Sequence, residues 1–284
     1  MYLQVTLELC IYQASGEYSL VGAKRFISSG DSNMAKIIML HSFRGGTGKT
    51  NTSANIGALL AMSGLRVAVV DVDIQSPGIH TLFGVDDKSM GKTLNNYLWG
   101  ECAIEDAALD VTDQLGGKAE GKFFLIPSSI KASDIARILR DGYTVNLLDE
   151  GFKSLQNKLE LDALIIDTHP GLNDEILLSM AFADALGIIL RPDQQDYQGT
   201  SISVKLARNH EVENILLIVN KSPQLFNDET VKSRVEEAYN AEVIAVVPHS
   251  DEMMALSSAK LFVLEYPDDP VTTHFKKLAV RCMS

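Results

Sequence analysis

Residues 44–50, R-G-G-T-G-K-T, have the composition of a loop that binds phosphate. They lie between an apolar run and an Ala- and Leu-rich run that ends at Met62, which predicts a strand, a loop and a helix in that order. Glycines let successive backbone N–H groups point at one anion, and the start of a helix adds partial positive charge. Lys49 can contact the outer phosphates, and the Thr50 hydroxyl can bind Mg²⁺. The residues that we expect to hold a polyphosphate are Gly45, Gly46, Thr47, Gly48, Lys49, Thr50 and Asn51.

This loop is a variant of the common phosphate-binding pattern G-x-x-x-x-G-K-[ST]. Phe43 stands where that pattern has its first glycine, and Gly45 and Gly46 are additional. The structural alternative is a glycine turn with an incidental lysine. The strand-like and helix-like runs on either side favour phosphate binding over that alternative.

Acidic residues end two other apolar runs. Asp71 and Asp73 alternate along one run, so on an extended chain both carboxylates lie on the same face and can point at one ligand. The alternative is that these acids only form the turn before Ser-Pro-Gly. Asp167 ends the run 161–167, where a carboxylate can hold a Mg²⁺-bound water.

These groups need a scaffold, and the chain from Lys36 onward alternates short apolar runs with longer stretches of helical spacing. Continuous Val/Ile/Leu runs must be covered on both faces, which predicts an α/β fold: a doubly wound, mostly parallel sheet with helices on both faces and ligands at the carboxyl ends of its strands. The expected strands are residues 36–43, 66–72, 123–127, 161–167, 185–191, 214–220 and 243–248.

Residues 34–284 show no internal repeat and no linker, so we expect one domain there. Residues 1–33 have weak periodicity and are rich in Ser and Gly from position 14 onward. We interpret them as an N-terminal extension that is either disordered or not native. A regulatory arm is the functional alternative.

The composition of the chain disfavours several classes of function and location. The 284 residues carry 25 Lys plus Arg against 37 Asp plus Glu, and the net charge of -12 disfavours attraction of the whole surface to nucleic acid or anionic lipid. The longest apolar stretch, 176–190, is too short and too polar to span a membrane, and no secretory signal is evident. Cys10, Cys102 and Cys282 are widely spaced, which favours a reducing compartment. We expect a cytoplasmic protein.

The loop and the strand-end acids resemble the deviant Walker A ATPases of the ParA/MinD family, whose loop reads K-G-G-x-G-K-[ST]. The resemblance covers residues 34–284. It implies a Mg²⁺-dependent ATP hydrolase, slow and stimulated by a partner or adaptor protein, that alternates between an ADP-bound monomer and an ATP-bound homodimer. Such a switch positions DNA, protein complexes or other cargo inside the cell.

The resemblance also implies roles for individual residues. The family's signature lysine reaches the phosphates of the partner subunit, and Arg44 occupies its position with the charge kept and the shape changed. In the family, the residue at the position of Asp73 orients or activates the hydrolytic water, and the residue at the position of Asp71 lies near the Mg²⁺ shell. The family usually has D-x-P-x-G from the position of Asp167, whereas this chain has His169 at the proline position and Pro170 next to it. His169 is either a hydrogen-bonding spacer or a general base.

Two later strand ends resemble the adenine side of the family's site. The Asn220 amide can pair with a purine edge, and the loop from Pro248 to Asp251 would close over the ring. Pro223 replaces the aspartate of a GTPase N-K-x-D motif, so ATP is preferred to GTP. Each of these segments alone could be only a turn.

Several alternatives remain open at this point. A metallochaperone relative would need paired cysteines, and a small-molecule ligase of the same fold would need a substrate pocket. Membrane targeting is disfavoured because no terminal amphipathic helix is evident. The polar segment 191–199 is either a partner-sensing loop or a solvated one. Nonspecific DNA binding would use basic residues on two helical stretches, but the net negative charge of residues 201–284 favours solvated helix faces instead: Lys205, Arg208, Lys276, Lys277 and Arg281.

Overall fold

The computed structural model describes residues 35–144, 146–172, 176, 179–180 and 182–284. The extension predicted for residues 1–33 lies outside the described residues. Within the described part of the chain, no helix combines the length and the apolar character that a membrane span requires.

A single eight-stranded sheet organises the described chain. Its strand order is β3-β4-β2-β5-β1-β6-β7-β8, and every neighbouring pair is parallel except β3 with β4. This confirms the predicted doubly wound, mostly parallel architecture. The strands are β1 (Lys36–His41), β2 (Arg66–Asp71), β3 (Leu109–Asp110), β4 (Lys122–Ile126), β5 (Ala163–Asp167), β6 (Ala185–Leu190), β7 (Ile215–Ser222) and β8 (Glu242–Pro248).

Strand β3 is absent from the sequence prediction. It consists of Leu109 and Asp110 alone and pairs antiparallel with β4 at the edge of the sheet. Two residues are too few to show a period of two, so no local pattern marks them as a strand.

Helices cover both faces of the sheet, as predicted. Along β1 the buried residues alternate between two apolar clusters, with Ile38 and Leu40 in one and Ile37 and Met39 in the other. The described helices of four or more residues are α1 (Lys49–Met62), α2 (Leu94–Leu98), α3 (Ala132–Asp141), α4 (Asn146–Lys158), α5 (Gln194–Asn209), α6 (Asp228–Tyr239), α7 (Asp251–Ala255), α8 (Phe262–Glu265) and α9 (Pro270–Met283), with 3₁₀ turns at Ile79–Phe83, Ile104–Ala107 and Thr112–Leu115.

The parallel register brings the predicted site residues to one edge of the sheet. Asp71 at the end of β2 is paired in register with Asp167 at the end of β5, and Leu40 of β1 is paired with the same Asp167. The loop that joins β1 to α1 therefore begins beside both acids. The carboxyl edge around the central strand β1 is where ligands bind in open α/β sheets.

Candidate active site

The loop between β1 and α1 surrounds a cavity of about 480 Å³. Its shape depends on Gly46 and Gly48, whose φ angles of 77° and 98° lie in the left-handed region that side chains disfavour. All of residues 45–51 line the cavity, together with Asp73 from the loop after β2. The structure thus brings together the phosphate-binding residues that the sequence predicts and the predicted catalytic acid.

Lys49 and Asp167 form a buried ion pair below this cavity. Lys49 Nζ lies 3.0 Å from Asp167 Oδ1, and the two side chains are 6% and 1% exposed. Ser53, one helical turn after Lys49, donates its hydroxyl to the same oxygen at 2.9 Å. The positive charge of the loop is therefore balanced by an acid of its own chain.

Two buried polar atoms of the site have no hydrogen-bond partner among the described residues, namely Thr47 Oγ1 and Asp167 Oδ2. Buried polar atoms are nearly always paired in folded proteins, so an unpaired atom of the cavity lining (Thr47) and another on the ion-pair partner of a lining residue (Asp167, through Lys49) indicate a ligand. A phosphate oxygen suits the threonine hydroxyl, and a hydrated Mg²⁺ suits the carboxylate oxygen. The residues present therefore fit a metal-bound polyphosphate, with Thr50 and Asp167 as the side chains that would hold the metal.

Asp71 organises the loop after β2. Its carboxylate accepts the backbone N–H of Asp73 at 3.0 Å and that of Gly78 at 3.2 Å. Burial and the neighbouring Asp167 raise the pKa of Asp71 to about 8. Because both oxygens of the Asp71 carboxylate already accept main-chain N–H groups, direct metal binding would compete with these contacts. A role near the Mg²⁺ shell stays a prediction.

Asp73 lines the cavity, as a residue that acts on a bound water must. Its Oδ1 accepts the Ser76 N–H at 3.0 Å, and burial raises the pKa of the carboxyl group. His169 Nε2 lies 4.0 Å from the same oxygen, which is too far for a hydrogen bond. His169 is thus next to the catalytic candidate, and its part as spacer or base stays a prediction.

Arg44 points away from the cavity of its own loop. Its Nη1 lies 3.2 Å from Asp196 Oδ1 and 3.4 Å from Asp193 Oδ1, at the start of α5. Asp196 is 2% exposed and also accepts Arg191 Nε at 3.2 Å. The segment 191–199, whose role the sequence leaves open, therefore holds the arginine that replaces the family's signature lysine.

A second cavity of about 160 Å³ adjoins the first and is lined by Gly48, Asn51, Asn220 and Pro248, among others. Its position matches the predicted base side. Asp251 does not line it: the Asp251 side chain is 95% exposed and lies 3.5 Å from His249 Nε2. As the first residue of α7, Asp251 is stabilised there by the helix dipole and by solvent, so the expected closure over a ring is not seen for this side chain.

The Asn220 amide also has partners other than those expected. Its Nδ2 donates to the Thr47 carbonyl at 2.7 Å, and its Oδ1 accepts the Lys221 N–H at 2.9 Å. In this structure the amide therefore contacts the phosphate loop rather than facing a purine edge. Pairing with a base stays a prediction.

Several residues of the site are missing from the sequence prediction. Ser53 could have been found from its spacing of four residues after Lys49, which places both on one side of α1. Lys221 and Ser258 line both cavities but belong to no local motif. His41 is buried between Thr168 and Ser203, and burial lowers its pKa to about 3, so this imidazole is neutral at physiological pH.

Comparison with known proteins supports the same reading of the site. A family model for an AAA domain, AAA_31, matches residues 35–215. An uncharacterized ATP-binding protein of Methanocaldococcus jannaschii is 28% identical over 249 residues, which are 87% of this chain and 88% of that protein. The septum site-determining protein MinD of Neisseria meningitidis is 24% identical over 260 residues, which are 88% of this chain and 92% of that protein.

The fold has a counterpart among solved structures. MinD from Pyrococcus horikoshii, complexed with Mg-ADP, superposes with a TM-score of 0.69 at 23% identity over 87% of this chain and 95% of that one. The family model spans well over half of this chain. The chain therefore belongs to the ParA/MinD family of P-loop ATPases.

Proposed function

We propose that this chain is a slow ATPase whose ATP-bound form is a homodimer, that a partner protein stimulates its hydrolysis, and that the cycle positions DNA, a protein complex or other cargo. The observation that supports the dimer is the placement of Arg44. Its side chain is 37% exposed and does not line the cavity of its own loop. A cation so placed can reach the phosphates of a second copy across a shared interface.

Each residue of the site has a distinct task in this proposal. The N–H groups of residues 45–51 and the Lys49 ammonium bind the phosphates. Thr50 and Asp167 would hold Mg²⁺, which would neutralise phosphate charge when bound. Asp73 orients the attacking water and accepts its proton, and burial, which raises the pKa of its carboxyl group, makes the carboxylate a stronger base.

The cargo is a separate question, and the surface gives little support to DNA. Arg208 donates to the carbonyls of Tyr239 and Asn240, and Arg281 binds Glu242. Two of the five basic residues that could contact phosphates therefore hold the fold together. A DNA-binding role would depend on the remaining lysines.

The experiment that tests the proposal measures ATP hydrolysis and light scattering together. We expect a monomer with ADP and a dimer with ATP, and slow phosphate release that rises with the correct partner. Duplex DNA and liposomes, each across a salt series, distinguish the candidate surfaces because electrostatic binding weakens with salt. A protein that stays monomeric with ATP would contradict the switch.

The metallochaperone alternative has less support from the thiols that the structure describes. Cys282 is fully buried, and burial raises its pKa to about 12, so the thiol is unreactive. Cys102 is the other described cysteine, and no group of three or more His, Cys, Asp or Glu residues that could hold a metal occurs in the described ranges. A ligase would be recognised by phosphate release that requires a metabolite.

Replacing Arg44 tests the dimer directly. Arg44→Ala should keep ATP affinity, because the side chain lies outside its own cavity, but should lose ATP-dependent dimerisation and reduce hydrolysis by at least about tenfold. Arg44→Lys should retain part of both properties. The measurements are calorimetry, light scattering and phosphate release.

The matched control for Arg44 is Arg140→Ala. Arg140 is an exposed arginine of α3 that pairs with Asp141, so its loss removes the same charge without touching the site. Normal dimerisation and turnover of Arg44→Ala would show that this arginine has no role across an interface.

A further inference from the structure

Two consecutive carbonyl groups of the phosphate loop are held by side chains from the end of β7. The Gly46 carbonyl accepts a hydrogen bond from Lys221 Nζ at 2.8 Å. The Thr47 carbonyl accepts one from Asn220 Nδ2 at 2.7 Å. Neighbouring residues of one strand thus contact neighbouring peptide groups of the loop.

These contacts fix the direction of the loop's N–H groups. In a planar trans peptide the C=O and the following N–H point in opposite directions. Holding the Gly46 and Thr47 carbonyls toward β7 therefore turns the N–H groups of Thr47 and Gly48 away from β7. Both residues line the phosphate cavity, where N–H groups directed at one point bind an anion.

The end of β7 is shaped for these contacts. Lys221 has a φ of 56°, which is uncommon for a lysine, and it lies at a register shift of β7 against β8 between Val219 and Ser222. Backbone strain of this kind is typical of functional sites. The Asn220 amide is in turn oriented by its bond to the Lys221 N–H.

The fit of loop and strand is also close. A Cβ atom at Gly48 would clash with Asn220 Nδ2, so glycine is required there both for its φ of 98° and for the approach of the amide. Burial, with a smaller effect of Arg191, lowers the pKa of Lys221. A bound anion beside this ammonium would favour its charged form.

We propose that Asn220 and Lys221 are positioning residues that hold residues 46–48 in the phosphate-binding conformation, so that both act on the phosphate end of the nucleotide. This inference rests on the proposed ATP binding at the loop. It assigns Asn220 a function that does not involve the purine base of the nucleotide. It assigns Lys221 a function that its sequence position alone does not indicate.

A ligand without a base separates this role from purine recognition. We would measure the affinity of the full chain for Mg-ATP and for Mg-tripolyphosphate by calorimetry, with melting temperatures of the ligand-free proteins. Asn220→Ala and Lys221→Asn should each weaken both ligands by a similar factor of roughly tenfold, the effect expected of one lost charge-assisted or buried hydrogen bond. Asparagine tolerates a positive φ, so Lys221→Asn removes the ammonium with little backbone penalty.

Two further variants control the experiment. Lys221→Arg keeps a cationic donor and should recover most of the affinity for both ligands. Lys153→Asn removes a lysine from the exposed face of α4 and should leave both affinities unchanged.

The possible outcomes separate the proposals. Unchanged tripolyphosphate affinity in Lys221→Asn, or an Asn220→Ala variant that is weakened for ATP alone, would overturn the positioning role, and the second result would assign Asn220 to the base. Wild-type protein that binds neither ligand would instead contradict ATP binding at this loop. If Asn220→Ala does not fold, the comparison of Lys221→Asn with Lys221→Arg decides the question.

Discussion

Lys49→Ala should abolish ATP binding and lower the melting temperature of the ligand-free protein at the same time. The first effect follows because Lys49 lines the phosphate cavity. The second follows because Lys49 is bonded to Asp167 at 3.0 Å with both side chains buried. Removing one member of a buried ion pair leaves the other charge uncompensated and typically costs about 3–5 kcal/mol. Calorimetry with ATP and thermal unfolding measure the two effects.

A double variant separates binding from stability. Adding Asp167→Asn to Lys49→Ala removes the uncompensated carboxylate, so the melting temperature should recover while ATP binding stays lost. Unchanged ATP affinity in Lys49→Ala would refute the phosphate loop. Unchanged stability would show that Ser53, which donates to the same Asp167 oxygen, is sufficient to compensate the buried acid.

Asp73→Ala should bind ATP with nearly normal affinity but hydrolyse it about 10²–10⁴-fold more slowly, the range typical for loss of a general base. Asp73 lines the cavity, whereas its main-chain contact is confined to the Ser76 N–H. The site should therefore persist without the carboxylate. Because the ATP-bound form no longer turns over, the variant should accumulate as a dimer. Single-turnover phosphate release and light scattering measure both results.

The control for Asp73 is another acid of the same edge of the sheet. Asp251→Ala removes a carboxylate that is 95% exposed and lies outside both cavities that adjoin the loop, so hydrolysis and dimerisation should be normal. An Asp73→Ala variant that hydrolyses ATP at the normal rate would show that another group orients the attacking water, and His169, next to Asp73, would be the candidate.

Local sequence was sufficient to place together those parts of the candidate site that are contiguous in the chain. Residues 45–51 could be placed in one loop because strand, loop and helix follow one another directly. Asp167 could be placed beside that loop because a continuous apolar run ends there and parallel strands end at one edge. Their roles stay predictions. The fold class followed from the same runs, since strands that are apolar on both faces require helices on both sides.

The parts that were missed depend on contacts between distant residues. The partners of Arg44 lie about 150 positions away in α5, with Asp196 separated from it by 152 residues. The contacts of Asn220 and Lys221 with the loop span 173 and 175 positions. Periodicity and motif spacing carry no information on such pairs, so only the tertiary structure shows them.

Asp251 shows a difference of another kind. Its segment resembles the adenine side of the family's site, but its carboxylate is 95% exposed at the start of α7, so its contact with a base stays a prediction. Ser258, seven residues later, lines both cavities instead. Its φ of 55° is a tertiary feature, and nothing in the adjacent residues indicates it.

In the ligand-free chain Lys49 and Asp167 bind each other, so each side chain competes with the ligand that the other would bind. A triphosphate that recruits the ammonium releases the carboxylate, and a cation that recruits the carboxylate releases the ammonium. Each ligand thus removes an obstacle to the other, so their affinities should be linked. Thermodynamic reciprocity then requires that the metal tighten nucleotide binding by the same factor by which the nucleotide tightens metal binding.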